Sequence, residues 1–148
     1  MIIKIIGAVI FIAGGFLLGN SIEKKYLQQV ELWQEIVDFL TNCQSQISYI
    51  GATIDEICTR EREKNKKYSV MIADTIQYNT NVENLSLLAD FAKEIRSVDL
   101  ETQSKVFSFY RREAEKKMEE AKNALQKNGK TYQKLLPILS IGVAVLLW

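Results

Sequence analysis

The sequence predicts an all-α protein in which two terminal transmembrane helices form a membrane hairpin and continue into an antiparallel helical stalk or bundle with short distal helices. Apolar segments at residues 5–18 and 135–148 lie at the two ends of the chain. The residues between them show heptad spacing and helix-capping patterns. No alternating apolar run bounded by turn residues is present, so no strand is predicted.

The first apolar segment, Ile2 to Gly19, contains one charged residue, Lys4. A helix of this length spans about 27 Å, which is sufficient to cross a membrane. The alternative is a cleaved secretory signal peptide, because Lys4 precedes the apolar run and Gly19 and Ser21 are small residues of the kind that precede a cleavage site. The run is long for a signal peptide, which favours a transmembrane helix over residues 1–19.

The second apolar segment extends from Tyr132 to Trp148. Lys130 and Lys134 mark the headgroup level at its start, and Trp148 marks the opposite interface. Pro137 falls near the start, where it kinks a membrane helix rather than abolishing it. The segment is short, so a buried core helix is the alternative. We expect a second transmembrane helix here.

Small residues recur at a spacing of four in both segments, as Gly15 and Gly19 in the first and Ser140 and Ala144 in the second. Such pairs allow helix backbones to approach closely within a membrane. We expect the two spans to pack against each other through these residues.

Basic residues near the spans predict the orientation. Only Lys4 flanks them on the terminal side. On the central side the flanking residues are Lys24, Lys25, Lys127, Lys130 and Lys134. Because cytoplasmic flanks carry the excess of lysine and arginine, residues 20–131 are predicted to form a cytoplasmic helical domain.

The central region begins with a long helix that is predicted from Tyr26 to about Gly51. Thr53 and Glu56 have capping-box spacing, which predicts a second helix as far as about Lys64. The stripe of the first helix comprises Tyr26, Val30, Trp33, Val37, Leu40, Gln44 and Ile47, widened by Ile36, Cys43 and Ile50.

Three further helices are predicted. A short one covers Tyr68 to Gln77, and Thr80 with Glu83 forms a capping box for the next. Its buried face comprises Leu85, Leu88, Phe91, Ala92 and Ile95. Asp99 caps the last and longest helix. The heptad of that helix is Leu100, Phe107, Ala114 and Ala121, with Arg111, Met118, Leu125 and Tyr132 on a companion track that continues toward the membrane. We expect the first and last long helices to pack antiparallel as a coiled-coil-like stalk.

The composition argues against several functional classes. There are 19 basic and 18 acidic residues and no histidine, so the chain has neither a basic field for nucleic acid nor the usual general base. Cys43 and Cys58 lack CxxC spacing. Gly129-Lys130-Thr131 resembles the end of a phosphate-binding loop, but Ala124 stands where that motif requires glycine. We therefore expect no catalytic, cofactor-binding or metal-ligating residues, no enzyme activity, and neither nucleic acid nor a small-molecule substrate as a partner.

The order of short motifs along the chain provides a further indication. Residues 88–95 read Leu-Ala-Asp-Phe-Ala-Lys-Glu-Ile, Ser97-Val98-Asp99 and Gln103 follow, and residues 127–132 lead from a long Glu/Lys/Ala helix into the apolar tail. In the N-terminal half, Gln46-Ile47-Ser48-Tyr49 precedes Ile54. Taken together, these motifs resemble the stage III sporulation protein AB family over nearly the whole chain.

The resemblance implies a membrane component of the channel-like complex between mother cell and forespore, located in the outer forespore membrane. That family is similar to the helical domain of type II secretion and type IV pilus platform proteins. The expected partners are therefore a cytosolic secretion-type ATPase (stage III sporulation protein AA-like), other membrane components of the complex, and lipid. Matching positions suggest a docking surface around the turn from Ser97 to Gln103, with Asp99 and Gln103 and the neighbouring Glu101 and Lys105. The alternative, which is favoured for Asp99, is that this residue serves as a helix cap.

Two functions remain open at this point. The first is a non-enzymatic platform protein that docks an ATPase on its cytoplasmic domain. The second is a two-span sensor or signalling protein with an extracytoplasmic helical domain. The side of the membrane on which the central domain lies distinguishes them.

Overall fold

The computed structural model describes residues 2–78 and 85–146, and within these ranges all regular structure is helical, as predicted. A π-helical turn, Leu125–Gly129, joins the last two helices. The helices are α1 (Ile2–Ile50), α2 (Ile54–Glu63), α3 (Lys67–Tyr78), α4 (Ser86–Ser97), α5 (Leu100–Ala124) and α6 (Lys130–Leu146).

Helix α1 contains both the first apolar segment and the predicted heptad helix without interruption. It ends where predicted, because Gly51 has a φ of +70°, a left-handed conformation that glycine adopts without steric cost. The Gly51 N–H donates to the carbonyl of Ile47 at 3.2 Å, which satisfies one of the last free carbonyls of the helix.

The N-terminus of α2 has the predicted capping box. The Thr53 N–H donates to Glu56 Oε2 at 3.0 Å, and the Glu56 N–H donates to Thr53 Oγ1 at 3.3 Å. The second predicted capping box, Thr80 with Glu83, lies outside the described residues. The helix assigned to it begins at Ser86.

The chain divides into two compact units. The helix-pair unit comprises residues 1–31 and 118–148, and the helical domain comprises residues 32–117. The helix-pair unit is longer than the predicted spans, which end at Gly19 and begin at Tyr132. Contact continues beyond them, since Tyr26 lies against Gly129.

The core of the helical domain is built from all five of its helical segments. Phe91 of α4 forms its aromatic centre, with ring centroids 5.4 Å from Phe107 and 5.5 Å from Tyr110 of α5. Such tilted and edge-to-face pairs are the favoured aromatic geometries. The largest fully buried side chains are Ile36, Leu40, Cys43, Ile57, Cys58, Ile72, Thr75, Ile76, Leu85, Leu88, Phe91 and Phe107.

The predicted face of α4 is confirmed, since all five of its residues are buried. The stripe predicted for α1 is only partly correct. Ile50 is 68% exposed, whereas Leu32 and Phe39, which the prediction omitted, are buried. Ile50 is the last residue of α1, next to the turn at Gly51, and so projects past the core. Ile36, Val37, Leu40 and Cys43 are buried as predicted, and Leu32 and Phe39 extend the buried face on the side of Ile36.

The heptad of α5 is confirmed at Phe107, Ala114 and Ala121, which are buried. Leu100 was predicted to belong to it but is 79% exposed. It is the first residue of the helix and directly follows the capping residue Asp99, so its side chain precedes the packed part of α5.

Polar side chains connect the short helices of the helical domain. Arg96 on α4 donates to Asp55 Oδ1 at 2.9 Å and to the carbonyl of Ile76 at 3.2 Å. Arg62 on α2 pairs with Asp74 on α3. Exposed ion pairs contribute little to stability, so these contacts mainly set how α2, α3 and α4 are oriented.

The heptad does not continue unchanged through the π-helical turn. The Lys130 N–H donates to the carbonyl of Leu125, five residues back, so the turn accommodates one extra residue. The buried position after Ala121 is therefore Gly129 rather than residue 128. Tyr132, predicted to continue the companion track, is 46% exposed.

Candidate functional site

Helices α1 and α6 approach each other closely at Gly15, which is buried. A Cβ atom at this position would overlap Ser140 Oγ and lie 2.8 Å from Ser140 Cβ and 3.1 Å from the Leu136 carbonyl oxygen. Contacts below 3.0 Å are essentially never found for real Cβ atoms. Ser140 is itself satisfied, because its hydroxyl donates to the Leu136 carbonyl at 2.8 Å.

Gly19, one turn further along α1, lies against the backbone of α6. A Cβ atom there would be 3.1 Å from Gln133 Cα and 3.3 Å from the Gln133 carbonyl oxygen. This carbonyl lacks its helical partner, because residue 137 is a proline without an N–H. Glycine thus allows α1 to cover the carbonyl that Pro137 leaves free.

A hydrogen bond that the sequence analysis missed joins the same two helices. Gln133 Nε2 donates to Asn20 Oδ1 at 3.1 Å. Side-chain amides that bond between membrane helices stabilise their association by about 0.6–2 kcal/mol. The sequence contains one signal for this hydrogen bond. Asn20 is a polar residue that directly follows Gly19, on the side of α1 that the small residues assign to packing.

Ala144, the other small residue predicted at this contact, lies elsewhere along the pair. It is half-buried and lines a shallow apolar depression with Ala8, Ile12, Ile141 and Val145. Gly15 and Ser140 therefore meet each other, whereas Gly19 contacts α6 near Gln133 and Ala144 lies beside the N-terminal part of α1.

The outward surfaces of both paired helices are apolar and exposed. Within the described residues, α1 is the one helix that is long and apolar enough to cross a membrane by length and composition. Helix α6 has 17 described residues, and its large apolar side chains are also mostly exposed. Its exposed large apolar residues are Leu135, Ile138, Leu139, Ile141, Val143, Val145 and Leu146.

The predicted docking residues lie at the start of α5. Asp99 acts as its N-cap, since its carboxylate accepts hydrogen bonds from the hydroxyl and the backbone N–H of Thr102. The hydroxyl bond is the larger cause of the lowered pKa of Asp99. A carboxylate at this position also interacts favourably with the helix dipole.

The remaining three docking residues do not share one surface. Glu101 and Lys105 are exposed and one turn apart. Gln103 is half-buried, and its Oε1 atom is buried without a hydrogen-bond partner. At 3.6 residues per turn, Gln103 projects from roughly the opposite side of α5. The structure thus keeps Glu101 and Lys105 together and separates Gln103 from them.

Both cysteines lie in the core of the helical domain as free thiols. Burial is the main cause that raises the pKa of Cys43 well above its ordinary value and that of Cys58 to about 11. A raised pKa lowers the thiolate fraction and hence the reactivity. Among the described residues, no group of three or more cysteine, aspartate or glutamate side chains is arranged to hold a metal ion.

The fold and these sites define an all-helical protein with one long apolar helix, a tightly packed helix pair and a separate helical domain with a charged, exposed surface on α5. The sequence model of the stage III sporulation protein AB family matches residues 4–81 and 72–148. The chain therefore belongs to this family of sporulation proteins, as the resemblance predicted. Neither the curated proteins nor the solved structures contain a match.

Proposed function

We propose that the chain is a non-enzymatic platform component of a sporulation-specific, secretion-like channel complex between mother cell and forespore. In this proposal α1 and α6 both span the outer forespore membrane, and the helical domain docks a cytosolic secretion-type ATPase. Family membership supports the sporulation context.

The observation that carries the proposal is the exposed apolar surface on both paired helices. The exposed large apolar side chains on α6 have between 38% and 87% of their surface accessible. A contiguous apolar surface of this kind marks an interaction site or a lipid contact rather than a water-facing surface. The polar groups at the contact, Ser140 and the pair of Asn20 with Gln133, are hydrogen-bonded, as a pair of membrane helices requires.

Charge supports a cytoplasmic location of the helical domain. Five lysines on the domain side of the two apolar segments are exposed. Cytoplasmic flanks of membrane helices carry this excess. The residues are Lys24, Lys25, Lys127, Lys130 and Lys134.

A topology experiment separates this proposal from a two-span sensor with an extracytoplasmic domain. Cys43 and Cys58 are buried and provide an unreactive background. Ser104 is exposed, so Ser104→Cys introduces an accessible thiol. We expect a membrane-impermeant maleimide to label this variant only after permeabilisation, with the unaltered chain as the control. Labelling in intact cells would refute cytoplasmic docking.

Docking itself is tested by capture of the tagged full chain, extracted with its membrane from sporulating cells. We expect the stage III sporulation protein AA-like ATPase to co-purify. Reversal of the exposed charges, as Glu101→Lys with Lys105→Glu, is expected to reduce recovery of the ATPase. Glu63→Lys with Lys66→Glu exchanges two exposed charges elsewhere in the domain, also without a change in net charge, and is the matched control. Absence of the ATPase from the captured material would count against docking.

A further inference from the structure

Helix α5 carries an exposed aromatic side chain in the helical domain. Phe109 is 58% exposed, and its ring packs edge-to-face on Tyr110, with centroids 5.2 Å apart and planes at 89°. The Tyr110 hydroxyl donates to Glu94 Oε2 at 2.8 Å. The phenol is therefore fixed to α4, and the Phe109 ring rests on a supported neighbour.

Three cations lie on the same side of α5 as this ring. Lys105, Arg112 and Lys116 lie four residues before, three after and seven after Phe109, so helical geometry places all of them on its side of α5. All three are exposed. We call Lys105, Phe109, Arg112 and Lys116 the basic aromatic face.

The cations of this face lack intramolecular counterions. No ion pair or side-chain hydrogen bond engages any of the three within the part of the chain that the structure describes. By contrast, the neighbouring Arg111 pairs with Glu115 at 3.6 Å. Glu113, which is half-buried, lies one turn from Phe109, and Glu101 and Glu120 lie one turn beyond Lys105 and Lys116. Around Phe109 itself, the three cations therefore outnumber the one carboxylate that lies within a turn of the ring, Glu113.

We propose that the basic aromatic face binds an acidic segment of the docked cytosolic partner, with Phe109 inserted into an apolar pocket and the cations opposite carboxylates. This inference rests on the proposed function for the identity of that partner, the ATPase. An aromatic anchor within a polar rim is the usual arrangement of an interface hot spot. The unpaired charges provide electrostatic complementarity, which mainly raises the association rate.

A protein partner fits this face better than an anionic lipid surface does. A helix that lies on a bilayer needs a continuous apolar face. In α5 the apolar face is used by the domain core, where Val106, Phe107, Tyr110 and Ala114 are buried. The basic aromatic face offers a single apolar side chain.

The first test places a photo-crosslinking amino acid at position 109 of the full chain in sporulating cells. Position 78 is the control, because Tyr78 is an aromatic residue of the same domain and is 63% exposed. We expect crosslinks at position 109 to exceed those at position 78 at least fivefold. The captured peptide, identified by mass spectrometry, should contain more aspartate and glutamate than lysine and arginine. Equal crosslinking at both positions, a neutral or basic peptide, or a lipid adduct would overturn the inference.

The second test measures affinity of the full chain, in nanodiscs of zwitterionic lipid, for the purified ATPase. We expect Lys105→Glu with Arg112→Glu to weaken binding at least tenfold. Phe109→Ala should weaken binding to a similar extent, but the salt dependence of the affinity should change little. The matched pair Lys66→Glu with Lys93→Glu should change affinity less than twofold. Equal losses in the two charge-reversed pairs would overturn the inference.

The two proposals fail in different ways. If the ATPase crosslinks from position 101 but not from position 109, docking stands and the basic aromatic face is refuted. If position 109 captures an acidic segment of another protein and the ATPase is absent from the material captured with the tagged chain, the face is supported and docking of the ATPase is refuted.

Discussion

Replacement of Gly15 by alanine tests whether the close approach of α1 and α6 stabilises the helix pair. The added methyl group would overlap Ser140 Oγ and lie 2.8 Å from Ser140 Cβ. The neighbouring Gly14 is the matched control, because a Cβ atom there meets nothing within 4 Å. The two substitutions add the same group to consecutive positions of the same helix.

The expected magnitude follows from two opposing effects. Glycine to alanine in a helix stabilises by about 0.5–1 kcal/mol, and this contribution is common to both variants. Gly15→Ala carries an additional overpacking cost of about 1–3 kcal/mol. The free energy of helix association should therefore differ between Gly15→Ala and Gly14→Ala by about 1–3 kcal/mol.

Fluorescence energy transfer between the two helices measures this difference directly. Ser21→Cys and Thr131→Cys provide exposed labelling sites on the two helical segments of the unit. The native thiols, Cys43 and Cys58, are buried and do not compete for label. Titration of the labelled chain from mild detergent into sodium dodecyl sulfate then gives the midpoint at which the helices separate.

A second substitution identifies the atoms responsible. Ser140→Gly removes the two closest contacts and leaves the Leu136 carbonyl at 3.1 Å, so it should partly rescue Gly15→Ala in a double-mutant cycle. Ser140→Ala keeps its Cβ atom and should rescue less. Equal midpoints for Gly15→Ala and Gly14→Ala would refute the packing argument.

Three further predictions concern the helical domain and are checked by unfolding of the full chain. Thr53→Ala removes the cap of α2 and should lower the free energy of unfolding by about 1 kcal/mol, whereas Thr59→Ala, within the same helix, should change it by less than about 0.5 kcal/mol. Tyr110→Phe removes the hydrogen bond to Glu94 and should cost about 1 kcal/mol; an unchanged thermal midpoint would contradict this. The pKa of Cys58 is raised from 9.0 to about 11 in the folded state, so its contribution to stability is complete below pH 9 and is lost as pH rises toward 11. Between pH 9 and 11, the free energy of unfolding should therefore fall less for Cys58→Ala than for the unaltered chain. Identical pH profiles of the two proteins would exclude the effect.

Local patterns account for most of what the sequence predicted correctly. The capping box at Thr53, the glycine that ends α1 at Gly51 and the cap at Asp99 each depend on residues within one helical turn. Such signals do not require knowledge of the remainder of the chain. These three helix ends were therefore predicted correctly, whereas the buried face of α1 was predicted only in part.

The face of α1 shows why packing was harder to predict. Apolar residues occur on several sides of this helix, and a stripe through Trp33 and Val37 fits the spacing as well as one through Leu32 and Phe39. Only the neighbouring helices decide how far the buried face extends: Val37 is buried together with Leu32 and Phe39, whereas Trp33 is half-buried. Periodicity identifies a helix more reliably than it identifies its orientation.

Contacts distant in the sequence were not predictable from spacing. The hydrogen bond between Asn20 and Gln133 joins residues 113 positions apart. The separation of Gln103 from Glu101 and Lys105 around α5 also needs the structure, because the resemblance assigns a segment of the chain and not one side of the helix. Phe109 was overlooked because it lies outside the heptad on which the analysis of α5 relied.

The π-helical turn is a place where the chain can gain or lose one residue. One residue inserted into an α-helix rotates everything after it by about 100°. Here the turn at Leu125–Gly129 absorbs that residue locally, so Gly129 and Ser140 follow Ala121 on the buried side. Helices α5 and α6 can thus each keep their own spacing of buried residues. Single-residue insertions or deletions are expected to be tolerated at this turn and at few other places in either helix.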